Sequence, residues 1–296
     1  MFADTAPKPE PGNALQKPDL TPIGQILVQM GKMSQQQVDR VLQIQNDSGG
    51  RFGEIAIRQR FITKKDVDDV LAIQFGYSAL PVVGSSALPA KITRAFDPQS
   101  PYAESIRSLR SQLVQRWFDG SPGQSTLAIT SVDRGDGKSF ITSSLAVAFA
   151  QLNERTLIID CDMRHATQHE VFGLPNKFGL SGVLSGRASL DEIVTLPGVP
   201  NLSILASGPL PPNPQELLGR PVFAQLLNAL STQFNVILLD TPSAQEASDA
   251  HVIAQRAGAC LIVGRKDRTR SREIAQLAGV FSSSGIAILG ATFNEY

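Results

Sequence analysis

Short apolar runs alternate with amphipathic helical patterns over the last two thirds of the chain. The runs are TLAIT, RTLIID, LSILA, NVILLD, CLIV and AILGA, and most are apolar at consecutive positions. Strands that are apolar on both sides are typical of a parallel sheet whose two faces are both covered. From about residue 102 to residue 296 we therefore predict an α/β domain, with a parallel sheet covered by helices.

The preceding part of the chain contains a repeat with a helical period. Residues 24–45 align with residues 53–74, and identical residues recur at Gly24/Gly53, Val38/Val67, Leu42/Leu71, Ile44/Ile73 and Gln45/Gln74. Each copy has the pattern of two short helices. We predict that residues 21–78 form a small all-α tandem-repeat module.

Local signals mark the helix ends in each copy of the repeat. Gly31 follows the first apolar stripe and predicts a C-cap. Ser34 with Gln37 predicts a capping box at the start of the next helix, and Thr63 with Asp66 predicts the same device in the second copy. These signals support two helix pairs.

Two segments have no apolar period. Residues 1–20 contain four prolines and scattered charges, which predicts disorder. Residues 79–101 are rich in Pro, Ser and Gly, which predicts a linker. The expected order is therefore a disordered segment, the helical module (21–78), the linker and the α/β domain.

Charge and hydropathy exclude several classes of function. Lys plus Arg number 27, as do Asp plus Glu, so no excess of basic residues points to nucleic acid. No run approaches the roughly 20 apolar residues of a membrane helix, and the N-terminus lacks a secretory pattern. We expect a cytoplasmic protein that binds no nucleic acid and reaches the inner membrane through a partner.

A glycine-rich segment connects the first predicted strand to a predicted helix. The segment SVDRGDGKS ends in Gly137-Lys138-Ser139. Its backbone N–H groups and the helix N-terminus can face phosphates, Lys138 can supply charge, and the Ser139 hydroxyl can bind magnesium. The strict motif has glycine where Val132 stands, so a surface turn is the alternative. The flanking strand and helix favour a nucleotide triphosphate site.

Carboxylates end two further predicted strands. Asp160 and Asp162 follow one strand, and Asp240 follows another. Because parallel strands end at the same edge of a sheet, the three can gather beside the glycine loop. Phosphoryl transfer requires magnesium and a carboxylate that orients the attacking oxygen. A helix N-cap is the alternative for any single one of them.

These motifs together resemble those of the bacterial tyrosine kinases. The glycine loop, IIDCDMR and LLDTP resemble the three Walker-type motifs of that family, and GLSGVL, PPNPQELL and Asn294 extend the likeness over about residues 101–294. With the repeat included, the chain resembles the chain-length-determinant tyrosine kinases of the EpsG type. Partition and septum-placement ATPases share the fold but carry a signature lysine where this chain has Asp133.

The resemblance implies a P-loop fold and an ATP- and magnesium-dependent protein-tyrosine kinase. Its role would be exopolysaccharide or capsule assembly, with an inner-membrane polysaccharide co-polymerase as partner and a protein tyrosine as substrate. It implies nucleotide binding by Gly135, Asp136, Gly137, Lys138, Ser139, Phe140 and Asn294. It implies magnesium binding by Ser139, Asp162 and Asp240, and catalysis by Lys138, Asp160 and Asp162, with Asp160 assisting the tyrosine hydroxyl.

Two further resemblances leave alternatives open. Glu104, Arg107 and Arg110 match the motif through which these kinases form rings, and a solvated ion pair is the alternative. The repeat resembles the N-terminal domain of type II secretion and pilus ATPases, some of which bind cyclic di-GMP. The second copy contains the sequence RFG, whereas the first copy lacks the arginine at the equivalent position. A protein-docking module is therefore favoured over a sensor of cyclic dinucleotide.

Some residues have interpretations without chemistry. His165 and His169 are four positions apart and are predicted to lie on a helix surface. The basic run from Arg265 to Arg272 is a predicted solvated face that could also border the nucleotide. A P-loop ATPase switch without kinase activity remains the alternative function.

Overall fold

The computed structural model describes residues 22–74, 100–197, 199 and 201–295. The chain divides into two compact units, Met1–Phe75 and Gly76–Tyr296. The predicted disordered segment 1–20 lies outside the described residues, as does the predicted linker apart from its last two positions. The domain boundaries remain predictions.

The first unit consists of four helices in its described part. They are α1 (Ile23–Gln29), α2 (Gln35–Ser48), α3 (Phe52–Arg58) and α4 (Lys64–Gln74). Leu27, Val41, Ala56 and Val70 are fully buried among them. The helices thus share a small apolar core to which both copies of the repeat contribute.

The repeat produces equivalent contacts in its two copies. A Cβ atom on Gly24 would lie 2.8 Å from Val38 Cγ1, and a Cβ atom on Gly53 would lie 3.1 Å from Val67 Cγ1. A larger residue at either glycine would push the paired helices apart. Both predicted capping boxes are present, with reciprocal hydrogen bonds between residues 34 and 37 and between residues 63 and 66.

In the second unit the first described helix is α5 (Pro101–Arg116), and Ser100 caps it. Its strands are β1 (Thr126–Ser131), β2 (Thr156–Asp160), β3 (Val194–Thr195), β4 (Leu202–Leu205), β5 (Val236–Asp240), β6 (Ala259–Arg265) and β7 (Ala287–Asn294). Its further helices are α6 (Lys138–Ala150), α7 (Gln168–Phe172), α8 (Leu180–Leu184), α9 (Pro214–Gly219), α10 (Pro221–Ser231), α11 (Asp249–Ala257) and α12 (Ser271–Ser283).

The strands form one seven-stranded sheet in the order β3-β4-β2-β5-β1-β6-β7. Every pairing is parallel except that of β3 with β4, which is antiparallel. The six apolar runs are β1, β2 and β4 to β7, so the predicted α/β fold class is confirmed. Strand β3 was not predicted because it has two residues, both exposed, and therefore no apolar run.

Both faces of the sheet are covered by helices. In β2, Leu157 and Ile159 belong to the core that contains residues of α8 to α12, whereas Ile158 belongs to the core that contains residues of α5 and α6. All three are fully buried. This arrangement explains why the strands are apolar at consecutive positions. Among the described helices, none is long and apolar enough to cross a bilayer.

Helix α5 places the three residues of the ring motif in different environments. Arg110 is 5% exposed, and its Nη1 donates a 2.7 Å hydrogen bond to the carbonyl of Ala148 in α6. Glu104 and Arg107 lie on the outer side of the helix and form an ion pair. Arg110 therefore fastens α5 to α6, and a subunit contact through this motif would rest on the other two residues.

Strand order also positions the candidate site. Strands β2, β5 and β1 are adjacent, and they run parallel. Their C-terminal ends therefore meet at one edge, where Asp160 is paired in register with Asp240. The loop after β1 begins at the same edge.

Candidate active site

The loop between β1 and α6 has the conformation of a phosphate-binding loop. Gly135 and Gly137 have φ angles of 87° and 93°, which favour glycine. A side chain on Gly137 would also overlap the Asn294 amide. Helix α6 starts at the next residue, so its free N–H groups lie at the loop and can bind an anion.

Three contacts of Asp136 keep this loop in place. Asp136 accepts hydrogen bonds from Asp133 N (3.0 Å) and from Thr269 Oγ1 (2.9 Å), and its carboxylate is fully buried. Asn294 Nδ2 contacts the Asp136 carbonyl at 3.4 Å. Asp136 was predicted to bind the nucleotide. Its side chain stabilises the loop, so phosphates could contact only its backbone.

Lys138 and Asp162 form an ion pair in the wall of a cavity of about 510 Å³. Lys138 Nζ lies 3.3 Å from Asp162 Oδ2, and both side chains are largely buried. Gly135, Gly137, Ser139, Phe140 and Asn294 line the same cavity. The predicted phosphate-binding residues are therefore brought together, with a lysine positioned to neutralise phosphate charge.

Asp160 lies behind the cavity and is fully buried. Its Oδ1 accepts from Asp162 N at 3.2 Å, and its Oδ2 accepts from Thr167 N and Gln168 N, each at 3.0 Å. Burial raises the pKa of Asp160 well above its usual range, and the charge of Asp240 raises it further. In this conformation Asp160 holds the loop that carries Asp162, and a substrate hydroxyl reaches it only if that loop moves.

Asp240 is fully buried at the end of β5. Its Oδ2 accepts a 2.7 Å hydrogen bond from Gln168 Nε2, and its Oδ1 accepts none from the described residues. Burial raises the pKa of Asp240, while the charge of Lys138 and the hydrogen bond from Gln168 oppose the rise. Such a carboxylate is stabilised as an anion when a cation approaches it.

The donor set fits magnesium. This ion commonly takes one or two carboxylates together with phosphate oxygens. Ser139, Asp162 and the unpartnered Oδ1 of Asp240 offer hard oxygen ligands beside the phosphate-binding loop. Among the described residues no group of three or more His, Cys, Asp or Glu side chains could hold a metal by itself, so nucleotide phosphates would have to complete the coordination.

The sequence did not reveal Gln168, which connects several parts of the site. Besides its bond to Asp240, its Nε2 donates to the Ser139 carbonyl (3.1 Å) and its Oε1 accepts from Ser143 Oγ (2.8 Å). The sequence did not reveal Thr269 either, because this residue lies within the basic run. In the same run, Arg268 Nη1 lies 3.3 Å from the position that a Cβ atom on Gly135 would take. A buried amide has no sequence signal of its own.

The prediction for His165 was wrong. Helix α7 starts at Gln168, so His165 lies in the loop before it and lines the cavity beside Asp162. The spacing of His165 and His169 suggested one helix, but three backbone N–H groups in this stretch, those of residues 165, 167 and 168, donate to Asp160 or Asp162 and shape the loop.

The fold and the site define a P-loop nucleotide-binding protein. Residues 127–294 match the family described as the CobQ/CobB/MinD/ParA nucleotide binding domain. Within that class, the chain is 35% identical over 199 residues to CapB of Staphylococcus aureus, which carries the name of a tyrosine-protein kinase. The match covers 67% of this chain and 86% of CapB. The chain belongs to the bacterial tyrosine-protein kinases, and the family and enzyme class predicted from the motifs are confirmed.

Two further proteins place this family membership in context. The tyrosine-protein kinase Wzc of Salmonella typhimurium is 32% identical over 199 residues, which is 67% of this chain but 27% of Wzc. The solved kinase domain of Escherichia coli tyrosine kinase ETK is 30% identical, with a TM-score of 0.65, and the match covers 69% of this chain and 79% of that domain. The chain thus spans only about a quarter of the length of Wzc.

Proposed function

We propose that this chain transfers the terminal phosphoryl group of ATP to a protein tyrosine, with magnesium, and so regulates exopolysaccharide chain length and export. The observation that carries the proposal is the Lys138–Asp162 pair in the cavity beside Ser139 and Asp240. A P-loop lysine, a hydroxyl at the helix start and strand-end carboxylates are the groups that phosphoryl transfer requires.

Lys138 and the backbone N–H groups of residues 135–139 bind the phosphates, and Phe140 and Asn294 contact the rest of the nucleotide. Ser139, Asp162 and Asp240 hold magnesium, directly or through water. The bound ion neutralises the charge that develops on the phosphate oxygens. A side chain on Gly137 would displace Asn294 from this site.

The transfer step needs an oriented hydroxyl. The tyrosine oxygen forms a bond to the terminal phosphorus, the bond from that phosphorus to the bridging oxygen of ADP breaks, and the hydroxyl proton passes to a carboxylate of the Asp160–Asp162 pair. Asp162 faces the cavity, and Asp160 fixes the backbone of Asp162 through the 3.2 Å hydrogen bond. Lys138 balances the charge that accumulates on the leaving oxygen.

The proposed setting is cytoplasmic, at the inner membrane. The partner is a membrane polysaccharide co-polymerase, and the acceptor tyrosine lies on another protein. The chain assembles as a ring through Glu104 and Arg107, which are on the outer side of α5. The helical repeat module serves as a docking domain for a protein.

The decisive experiment is incubation of the purified chain with labelled ATP, magnesium and a tyrosine-containing protein, followed by phosphoamino-acid analysis. The proposal expects phosphotyrosine. Release of inorganic phosphate without phosphotyrosine would instead identify an ATPase switch. Calorimetric titration with cyclic di-GMP is expected to give weak binding or none, and tight binding would favour a dinucleotide-responsive regulator.

A further inference from the structure

A histidine that the proposed mechanism does not use lines the cavity beside Asp162. His165 lines the cavity with Lys138, Ser139 and Asp162. Its backbone N donates a 2.9 Å hydrogen bond to Asp162 Oδ1, while Lys138 Nζ contacts Asp162 Oδ2. The two residues thus contact different oxygens of one carboxylate. His165 and Lys138 therefore flank the Asp162 carboxylate within the same cavity.

Glu246 supports the imidazole from the side away from the cavity. Glu246 Oε1 lies 3.2 Å from His165 Nδ1, close but not aligned as a hydrogen bond, and Nδ1 is shielded from solvent. The other carboxylate oxygen of Glu246 accepts from Ser243 Oγ at 3.1 Å. Ser243 is itself buried, so the carboxylate is attached to the protein interior.

The segment that carries Glu246 is fixed to the sheet. Ala244 N donates to the Ser131 carbonyl at 2.8 Å, and Gln245 N donates to the Val132 carbonyl at 3.2 Å. These bonds connect the loop after β5 to the end of β1, where the phosphate-binding loop starts. The position of His165 is therefore set by the same strand ends that set the phosphate site.

The orientation of the ring leaves one edge available. Nδ1 is covered, yet 33% of the His165 side chain is exposed. Because Nδ1 is covered, Nε2 is the ring nitrogen left to serve a ligand in the cavity that His165 lines. The adjacent Arg164 is engaged elsewhere, since its Nε lies 3.0 Å from the buried carboxylate of Asp249 in α11.

Charge decides what this edge can bind. Glu246 and Asp162 both lie against His165, and two carboxylates disfavour a further phosphate at this position. A neutral hydroxyl is not repelled, and an imidazole nitrogen can donate to it or accept from it. The wall of the same cavity also contains the apolar side chain of Val171, which suits an aromatic ring.

We propose that His165, held by Glu246, positions the hydroxyl of the acceptor tyrosine in the cavity beside Asp162. This inference rests on the proposed kinase function. It assigns the Nε2 edge of His165 a hydrogen bond to the incoming side chain. It assigns Glu246 a role through His165 alone.

The test compares full-length variants with saturating ATP and magnesium and a synthetic peptide that contains one tyrosine. His165→Ala should raise the KM for the peptide about three- to tenfold, the worth of one hydrogen bond. His165→Gln, which keeps a hydrogen-bonding group, should restore part of the loss, and Glu246→Gln should give a smaller rise. The affinity for a fluorescent ATP analogue should stay unchanged in all three. His169→Ala is the matched control, because His169 does not line the cavity.

Three results would overturn the inference. An unchanged peptide KM in His165→Ala would remove the role, as would an equal loss of nucleotide affinity, since His165 would then bind phosphate. If His165→Ala melts at a much lower temperature, Glu246→Gln with an intact His165 decides the question, and no change of peptide KM there rejects the idea. Absence of phosphotyrosine in the wild-type chain would instead reject the proposed function itself, and the inference with it.

Discussion

Gln168 Nε2 donates a 2.7 Å hydrogen bond to Asp240 Oδ2, and this bond joins the start of α7 to the end of β5. The same amide group contacts the Ser139 carbonyl in the first turn of α6. One buried side chain thus connects the elements that follow three neighbouring strands. The relative positions of Ser139, Asp162 and Asp240 depend on it.

Replacing Gln168 with alanine should therefore destabilise the second unit. The change leaves the buried Asp240 carboxylate without its donor and Ser143 Oγ without one of its acceptors. We expect the free energy of unfolding to fall by about 1–3 kcal/mol for the unsatisfied groups. Urea titration measures the change. Gln276→Ala, on the exposed side of α12, is the control, and equal midpoints for the two variants would contradict the structural role.

Lys138→Met should abolish phosphoryl transfer and leave the fold intact. Methionine keeps the length of the apolar stem but removes the charge that lies 3.3 Å from Asp162 and faces the phosphates. Loss of one donor to the transition state costs about 10²–10³ in rate. Single-turnover phosphorylation of a tyrosine peptide measures it, with the exposed Lys177→Met as control. Wild-type turnover in Lys138→Met would reject this lysine as the phosphate-binding group.

The sequence was sufficient for the features that follow from periodicity or from short-range motifs. Consecutive apolar residues in β2 predicted a sheet buried on both faces, and residues 34 and 37 predicted a capping box. Both depend on residues close together in the chain. The glycine loop followed by a lysine predicted the phosphate site for the same reason.

What the sequence could not supply are contacts between distant segments. Thr269 bonds to Asp136 over a separation of 133 positions, and nothing within the basic run distinguishes that threonine. Arg110 matched a surface motif, yet its guanidinium is buried against α6 because the helix is rotated to pack Ile106 and Leu113. Which side of a helix is covered depends on its neighbour, and a motif match cannot decide it.

Arg107→Ala should shift the protein toward smaller assemblies if the outer side of α5 joins subunits. Glu104 is 73% exposed in its side chain, and its pair with Arg107 within one helix is worth only a few tenths of a kcal/mol. Replacing this ion pair within the helix by a pair between Glu104 and an arginine of a neighbouring subunit therefore costs little free energy. Light scattering with ATP and magnesium measures the mass.

The control for that experiment is Arg272→Ala, an exposed arginine at the start of α12. Arg110→Ala is a poor probe of assembly, because it removes the buried bond to Ala148 and should lower the melting temperature by itself. Identical mass for Arg107→Ala and wild type would exclude a ring built on this motif.

Asp240→Asn should stabilise the chain in the absence of nucleotide and metal, increasingly so at higher pH. The pKa values of Asp160 and Asp240 are both raised above 3.8 by burial, and the charge of each aspartate also acts on its neighbours. When the pKa of a group is higher in the folded state than in the unfolded state, the group stabilises the fold fully at pH values below its unfolded-state pKa. This stabilisation is lost as the pH rises through its folded-state pKa. Asparagine removes one such group, keeps an oxygen that accepts from Gln168, and removes the charge that raises the pKa of Asp160.

The melting temperature of Asp240→Asn should accordingly exceed that of wild type by a margin that grows as the pH rises above 3.8, the ordinary pKa of an aspartate. Addition of ATP and magnesium should reverse the order, because the variant has lost a proposed metal ligand and gains less from binding. Scanning calorimetry at several pH values, with and without ligand, measures both effects. Asp191→Asn, at an exposed carboxylate outside the sheet edge, should show neither. If the margin does not change with pH, burial of the Asp240 charge does not limit stability. If ATP and magnesium raise the melting temperature of the variant as much as that of wild type, Asp240 is not part of the metal site.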